Sequence, residues 1–491
     1  MQKHLRIALA SAAAAALTGG LLSLSTGVAG AADSVHHPMA DFNGDHIGDV
    51  AFSAGWATVG GKKDAGQIVA LYGSANGVTS TARKTVSQNT TGVPGSAETG
   101  DAFGWVSAYG DFNDDGFDDL AVSARYEDVD GDADGGTVAI IWGSSSGLTG
   151  GTTIKDPAVS SHDQWGRTLA AGDFDNDGKD DLAIGSTAST IYVYKGGIAK
   201  TGTSGGRYTV KPPIQSGGSS GGPINLTAGD VNGDGATDLV VDGFETTTDY
   251  GWNTNYYVPG SASGLNASSA KALKPGIITG IGDVNGDSFG DIVTGQEWDK
   301  PKDGSPVLPG TVDGGKVNIT YGSAGGPATS TAINQDTGNV PGGSERGDWF
   351  GGELSLGDIN GDGFQDLVVG APGENLGSAV DTGSVTVLYG SASGINTQSG
   401  GQFFAQSTAG VPGSDESKDY FGNEVKLTDL NGDGKADLTI GAYGENSDNG
   451  ALTYLPSNGT RITTTGSRSL SATSVGVSTD GYPELGGNAA N

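Results

Sequence analysis

The nine residues Asp358-Ile359-Asn360-Gly361-Asp362-Gly363-Phe364-Gln365-Asp366, followed at once by Leu367-Val368-Val369, decide the reading of this 491-residue chain. Oxygen-bearing side chains stand at positions 1, 3, 5 and 9 of the run, and an apolar strand begins where it ends. The same pattern starts at Asp41, Asp111, Asp173, Asp230, Asp283, Asp358 and Asp429, seven copies at intervals of 70, 62, 57, 53, 75 and 71 residues. A unit of that length holds about four short strands, and stacking of neighbours completes a core that no single unit buries. The expected fold class is all-β: a seven-bladed β-propeller with an Asp-rich loop in every blade.

The sixth copy shows the order of strands. Asp348 to Gly357 alternates residue types as an inner strand does and delivers the chain into the loop. Leu367 to Pro372 reads as a buried second strand, Gly383 to Gly390 as a third, and Gln402 to Gln406 as a fourth. Phe350-Gly351 and Gly370-Ala371-Pro372 bracket the acidic loop, and in this the unit resembles an FG-GAP repeat. That repeat builds the seven-bladed propeller of integrin α subunits and of bacterial secreted proteins of FG-GAP and VCBS type. Phe-Gly recurs at Phe103-Gly104 and Phe421-Gly422, with Trp165-Gly166 in the third copy. The fourth and fifth copies hold Gly222-Pro223 and Pro275-Gly276 in that slot, which leaves their first strands less defined.

The loops carry the chemistry. A hard cation such as Ca²⁺ takes six to eight oxygens from carboxylates, amides, backbone carbonyls and water, whereas Mg²⁺ resists dehydration and demands octahedral geometry. Spacing at 1, 3, 5 and 9 turns the side chains toward one point, and position 7, where the side chains share no chemistry, adds a backbone carbonyl. The expected metal ligands are Asp41, Asn43, Asp45 and Asp49 in loop one; Asp111, Asn113, Asp115 and Asp119 in loop two; and Asp173, Asp175, Asp177 and Asp181 in loop three. They continue with Asp230, Asn232, Asp234 and Asp238 in loop four, and Asp283, Asn285, Asp287 and Asp291 in loop five. Asp358, Asn360, Asp362 and Asp366 serve loop six, and Asp429, Asn431, Asp433 and Asp437 loop seven. Up to seven structural Ca²⁺ ions are expected. Loop three, with four carboxylates, is expected to bind most tightly. His46 and Ser288 occupy position 6, where the other loops have glycine, so loops one and five are expected to be strained and weaker.

Composition agrees with export and metal. A basic start (Lys3, Arg6), an apolar run from Ile7 to Leu17 and a small-residue end at Ala29-Gly30-Ala31 read as a secretory signal peptide over residues 1–31, leaving residues 32–491 as one propeller. Later segments fall short of the roughly 20 apolar residues that a membrane span needs. The chain has no cysteine, so stabilisation falls to something other than disulfides. Its net charge of −32 argues against nucleic acid or anionic membranes as partners, and 22 of its 57 acidic residues stand at ligand positions.

Other signals are weaker. Gly143-Ser144-Ser145-Ser146-Gly147 matches a nucleophile elbow in letters but falls in the turn after a third strand, where Gly390-Ser391-Ala392-Ser393-Gly394 also lies. Arg346-Gly347-Asp348 spells an adhesion tripeptide, yet Asp101 and Asp419 hold the place of Asp348 in other copies. Asp128, Asp130, Asp132 and Asp134 read equally as an extra ion site or as a solvated loop. Trp56, Tyr126, Trp252, Trp298 and Trp349 are expected on the face opposite the acidic loops, the face on which the integrin resemblance places ligand recognition. The first copy has no Phe-Gly ahead of its loop, whereas Leu485-Gly486-Gly487 resembles Phe350-Gly351-Gly352, so the C-terminal strand is expected to close the ring. The function that follows is a secreted, monomeric, non-enzymatic binding or adhesion module for an extracellular glycan or protein. Its rival is an extracellular polysaccharide-active enzyme, lyase-like, on the same scaffold.

Overall fold

The computed structural model describes residues 39–490; the expected signal peptide lies outside them. Seven antiparallel sheets follow one another along the chain, each ordered from its first strand outward. Blade six runs Glu353–Gly357, Asp366–Ala371, Ser384–Leu388 and Gln402–Phe404, as read from the sequence. Its register pairs Leu354 with Val369, Val369 with Thr386, and Val385 with Phe404. The second strands are buried on both faces, which is why they read as unbroken apolar runs. Blades four and five also have regular first strands, Asn225–Gly229 and Ile278–Gly282, despite lacking Phe-Gly. First strands of successive blades pack side by side around a central axis.

The aromatic of each Phe-Gly is a wedge between blades. Phe103, Trp165, Phe350 and Phe421 are buried to 1% exposure or less. Their backbone N–H groups donate to the preceding blade: Phe350 to Gly314 O at 2.8 Å and Phe421 to Thr382 O at 2.9 Å. The glycine of Gly-Ala-Pro is fixed by the same junction, because a Cβ on Gly370 would lie 2.0 Å from the Gly422 carbonyl oxygen of blade seven.

The C-terminal segment repeats this junction. Leu485 N–H donates to Asn449 O of blade seven at 3.2 Å, and a Cβ on Gly441 would lie 2.2 Å from Gly486 O. Beyond it the chain pairs with Val50–Ala54, the second strand of blade one, and takes the place of that blade's first strand. Gly486 N–H donates to Ser53 O at 3.1 Å, Ser53 N–H to Asn488 O at 2.8 Å and Ala490 N–H to Ala51 O at 2.9 Å. Leu485 and Ala489 share one apolar cluster with Phe52 and Leu71 of blade one and Leu452 and Leu470 of blade seven. The ring is closed by its C-terminal strand.

Candidate metal loops and the opposite aromatic face

In six blades the acidic loop joins the first strand to the second, and in blade one it leads into the second strand while the C-terminal segment supplies the first, so all seven open on one face. Position 1 organises the loop. In all seven copies its Oδ2 accepts the N–H of position 6 at 2.7–2.9 Å, as in Gly363 to Asp358. In five copies position 3 accepts from position 5, and position 5 accepts from position 7, as in Asp362 to Asn360 at 2.8 Å and Phe364 to Asp362 at 3.0 Å. His46 and Ser288 hold φ of 65° and 69°, the left-handed conformation expected where glycine is missing.

Position 9 also fastens the loop to its own sheet. Asp49, Asp119, Asp181, Asp238, Asp291, Asp366 and Asp437 are buried, and Oδ1 of each accepts an N–H one or two residues past the third strand at 2.8–2.9 Å. Burial, with the other carboxylates of the loop, pushes Asp49, Asp119, Asp181 and Asp366 up to about 8 and Asp238, Asp291 and Asp437 to about 7. The loops also touch one another. In six of the seven the position-8 N–H donates to the position-1 carbonyl of the preceding blade's loop, including Gly48 to Asp429 across the closure at 2.9 Å.

The donor set fits a hard cation. In loop three, oxygens of Asp173, Asp175 and Asp177 lie within 4.8 Å of one another, and Asp175 Oδ1 and Asp181 Oδ2 are buried without a hydrogen-bond partner. Asp181 stands outside that close group. Sequence reasoning missed Lys195, whose ammonium contacts Asp175 in this loop. Asp128, Asp130, Asp132 and Asp134 do not converge in the same way. In the elbow-like turn Ser144 Oγ donates to Gly147 O at 2.7 Å, as Ser391 does to Gly394, so it is a repeated turn. Asp348 of the adhesion-like tripeptide is fully buried, and Arg346 is engaged by Asp313 at 2.6 Å.

The opposite face carries aromatic side chains in a row. Trp349 stacks on Tyr420 at 6.2 Å between centroids, and Tyr420 stacks on Tyr443 at 4.9 Å. Tyr443 then lines a cavity of about 240 Å³ with Trp56 and Trp105, which meet edge to face at 4.8 Å. Arg125 lies over Trp105 at 4.4 Å and over Tyr126 at 4.7 Å, with its Nε buried and unpartnered. Burial and the neighbouring Arg167 lower its pKa from the ordinary guanidinium value. Trp105, Arg125 and Arg167 line a second cavity of about 170 Å³ together with Glu353 and Glu424. Of the aromatics expected on this face, Trp252 stacks on the exposed Tyr250 at 5.0 Å, outside the row, and Trp298 is half-buried. Trp105, Tyr420 and Tyr443 were missed, although each adjoins a Phe-Gly or Gly-Ala slot.

Comparison with known proteins agrees with the geometry. The FG-GAP repeat model matches residues 103–141, 350–388 and 421–455, and the FG-GAP-like repeat model matches residues 173–241. Integrin alpha-PS2 of Drosophila melanogaster is 28% identical over 253 residues, which is 45% of this chain and 16% of that protein. A phosphatidylinositol-glycan-specific phospholipase D of Dictyostelium discoideum is 32% identical over 112 residues, 22% of this chain and 12% of that protein. The chain thus spans less than a fifth of the length of these relatives. Among solved structures, a rhamnogalacturonan lyase of Bacillus licheniformis aligns at 12% identity with a TM-score of 0.28, covering 67% of this chain and 58% of that one. Among the described residues no helix is long and apolar enough to cross a membrane. With FG-GAP repeats matched in four segments and the propeller built from seven blades, the chain is an FG-GAP-repeat β-propeller protein.

Proposed function

We propose that this protein is an exported, Ca²⁺-loaded propeller that acts as a non-enzymatic binding module, holding an extracellular glycan or protein on its aromatic face. The observation that carries this reading is the row from Trp349 through Tyr420, Tyr443, Trp56 and Trp105 to Arg125. Flat apolar rings with polar edges suit sugar rings or a partner's side chains, and Arg125 offers a charge-assisted donor beside them. The twenty-eight loop residues at positions 1, 3, 5 and 9 are the proposed ligands of the ions. Bound Ca²⁺ supplies fixed positive charge among crowded carboxylates. The chain's own groups hold the loops in shape through the position-1 and position-9 hydrogen bonds, and so fix the strands that present the aromatic row.

A glycan array with Ca²⁺ present, run beside a panel of polysaccharide substrates, tests the reading. Binding is expected on the array, with its loss in Trp56→Ala and Trp349→Ala variants that melt as the parent does. Release of shortened or unsaturated products from the substrate panel would replace the binding reading with the enzymatic one.

A further inference from the structure

A second acidic cluster lies on the aromatic face, away from the seven loops and sharing no residue with them. Glu345, Asp348 and Glu374 each place one carboxylate oxygen within 4.8 Å of the others. Glu345 and Asp348 precede the first strand of blade six, and Glu374 follows its second strand. Asp348 is fully buried; its Oδ2 accepts the Glu345 N–H at 2.6 Å, and its Oδ1 has no partner. From blade five comes Gln335, 2% exposed, whose Nε2 donates to Glu374 at 3.1 Å and whose Oε1 also lacks a partner. No ion pair among the described residues reaches the three acids, since Arg346 turns to Asp299 and Asp313.

The sequence spacing recurs, although among the described residues only the blade-six carboxylates draw together: Gln88 of blade one precedes Glu98, Asp101 and Glu127 of blade two, and Gln406 of blade six precedes Glu416, Asp419 and Glu445 of blade seven. Gln88 and Gln406 again donate to the second glutamate, and again Oε1 of each is buried without a partner. A repeated set of carboxylates with an unanswered amide oxygen beside it is the oxygen-only donor set of a hard cation. An unpaired, buried anionic group is otherwise costly.

We propose that Glu345, Asp348 and Glu374, with the Gln335 amide oxygen, form a further cation site that takes Ca²⁺ or a similar hard divalent ion at the junction of blades five and six. It stands independently of the loop ions and of the ligand on the aromatic face. The ion ties the entry of blade six to the loop after its second strand. Trp349 adjoins Asp348 in sequence, and a Cβ on Gly373, next to Glu374, would lie 3.1 Å from the Trp349 ring. The indole therefore reports on the site.

The test uses the full chain and Tb³⁺, excited through tryptophan, with bound Ca²⁺ counted in parallel after equilibrium dialysis. Asp348→Asn is expected to lose one bound ion per chain and the part of the Tb³⁺ emission that Trp349→Phe also removes. Asp358→Asn in loop six is expected to lower the ion count while leaving that emission in place. The exposed Glu345→Gln gives the same reading at lower affinity if Asp348→Asn does not fold. Parental ion count and parental Trp349-sensitised emission in the folded Glu345→Gln and Asp348→Asn variants would overturn the site and leave the cluster neutralised by protons.

Discussion

Asp242 shows how one residue repairs a missing motif. It stands where blade six has Gly370, and blade five brings Pro275-Gly276 in place of Phe-Gly. Its carboxylate instead accepts from Thr279 of blade five at 3.1 Å and from Asn255 of its own blade, whose Oδ1 accepts Gly276 N–H at 2.8 Å. Burial pushes Asp242 up to about 7. A carboxyl raised in the folded state contributes stability that is full below the ordinary carboxylate range and is lost as pH climbs through the raised value. The melting temperature at saturating Ca²⁺ is therefore expected to fall between pH 4 and pH 7 less steeply in Asp242→Asn than in the parent; equal slopes would refute this. Gly370→Ala places a Cβ 2.0 Å from Gly422 O and is expected to cost on the order of 1–3 kcal/mol by denaturant melting. Lys195 bears on the expectation that loop three binds most tightly, for its ammonium competes with any cation at Asp175. Lys195→Met is expected to raise loop-three Ca²⁺ affinity several-fold, on the order of 1 kcal/mol, in calorimetric titration.

At the scale of the element, the acidic loop was legible because its four oxygen-bearing positions recur seven times and a strand follows each. The first-to-second-strand turn, the Gly-x-x-x-Gly turn and the left-handed His46 and Ser288 all follow from that repetition. The aromatic row was not legible as a row. Trp349 and Tyr420 share the slot before Phe-Gly, but Tyr443 follows a second strand and Trp105 a Phe-Gly, and together they span three blades, so the row emerges only when the blades are placed side by side. Lys195 escaped for the same reason: it follows the third strand and returns to its loop in space, not in sequence. The loops should also govern stability, since position 9 clamps each to its sheet and position 8 links it to the loop before. A ligand that binds only the folded state adds RT ln(1 + [L]/Kd), about 2.7 kcal/mol per site at one hundred times Kd. Complete chelation is expected to lower the melting temperature sharply, with recovery on adding Ca²⁺ back. Superimposable curves with and without chelator would reject structural ions in the loops.

At the scale of the whole molecule, closure depends on a segment remote in sequence from the blade it completes. Val50–Ala54 would be an open sheet edge without residues 486–490, and an unpaired edge is a template for association with other chains. Leu485 does the work that Phe350 and Phe421 do elsewhere, fully buried among side chains of blades one and seven. Removing Ser474 to Asn491 takes away the hydrogen bonds along Val50–Ala54, the wedge that joins the last blade to the first, and the buried Val475 and Val477 of the same cluster. The point variant Leu485→Ala isolates the wedge and is expected to cost about 2–5 kcal/mol, the range for emptying a buried leucine site. The deletion is expected to do more, giving a protein that melts earlier and elutes as oligomers or aggregates, because the bared edge remains even where the blades stay folded. Gly48 and Ser74 donate to the loop of blade seven on the opposite face, so the ring retains a second fastening there, which bound Ca²⁺ should strengthen. Added Ca²⁺ is therefore expected to recover part of the stability lost in Leu485→Ala but not the solubility lost in the deletion. A deletion variant that stays monomeric and melts with the parent would show that the first blade needs no strand from the C-terminus.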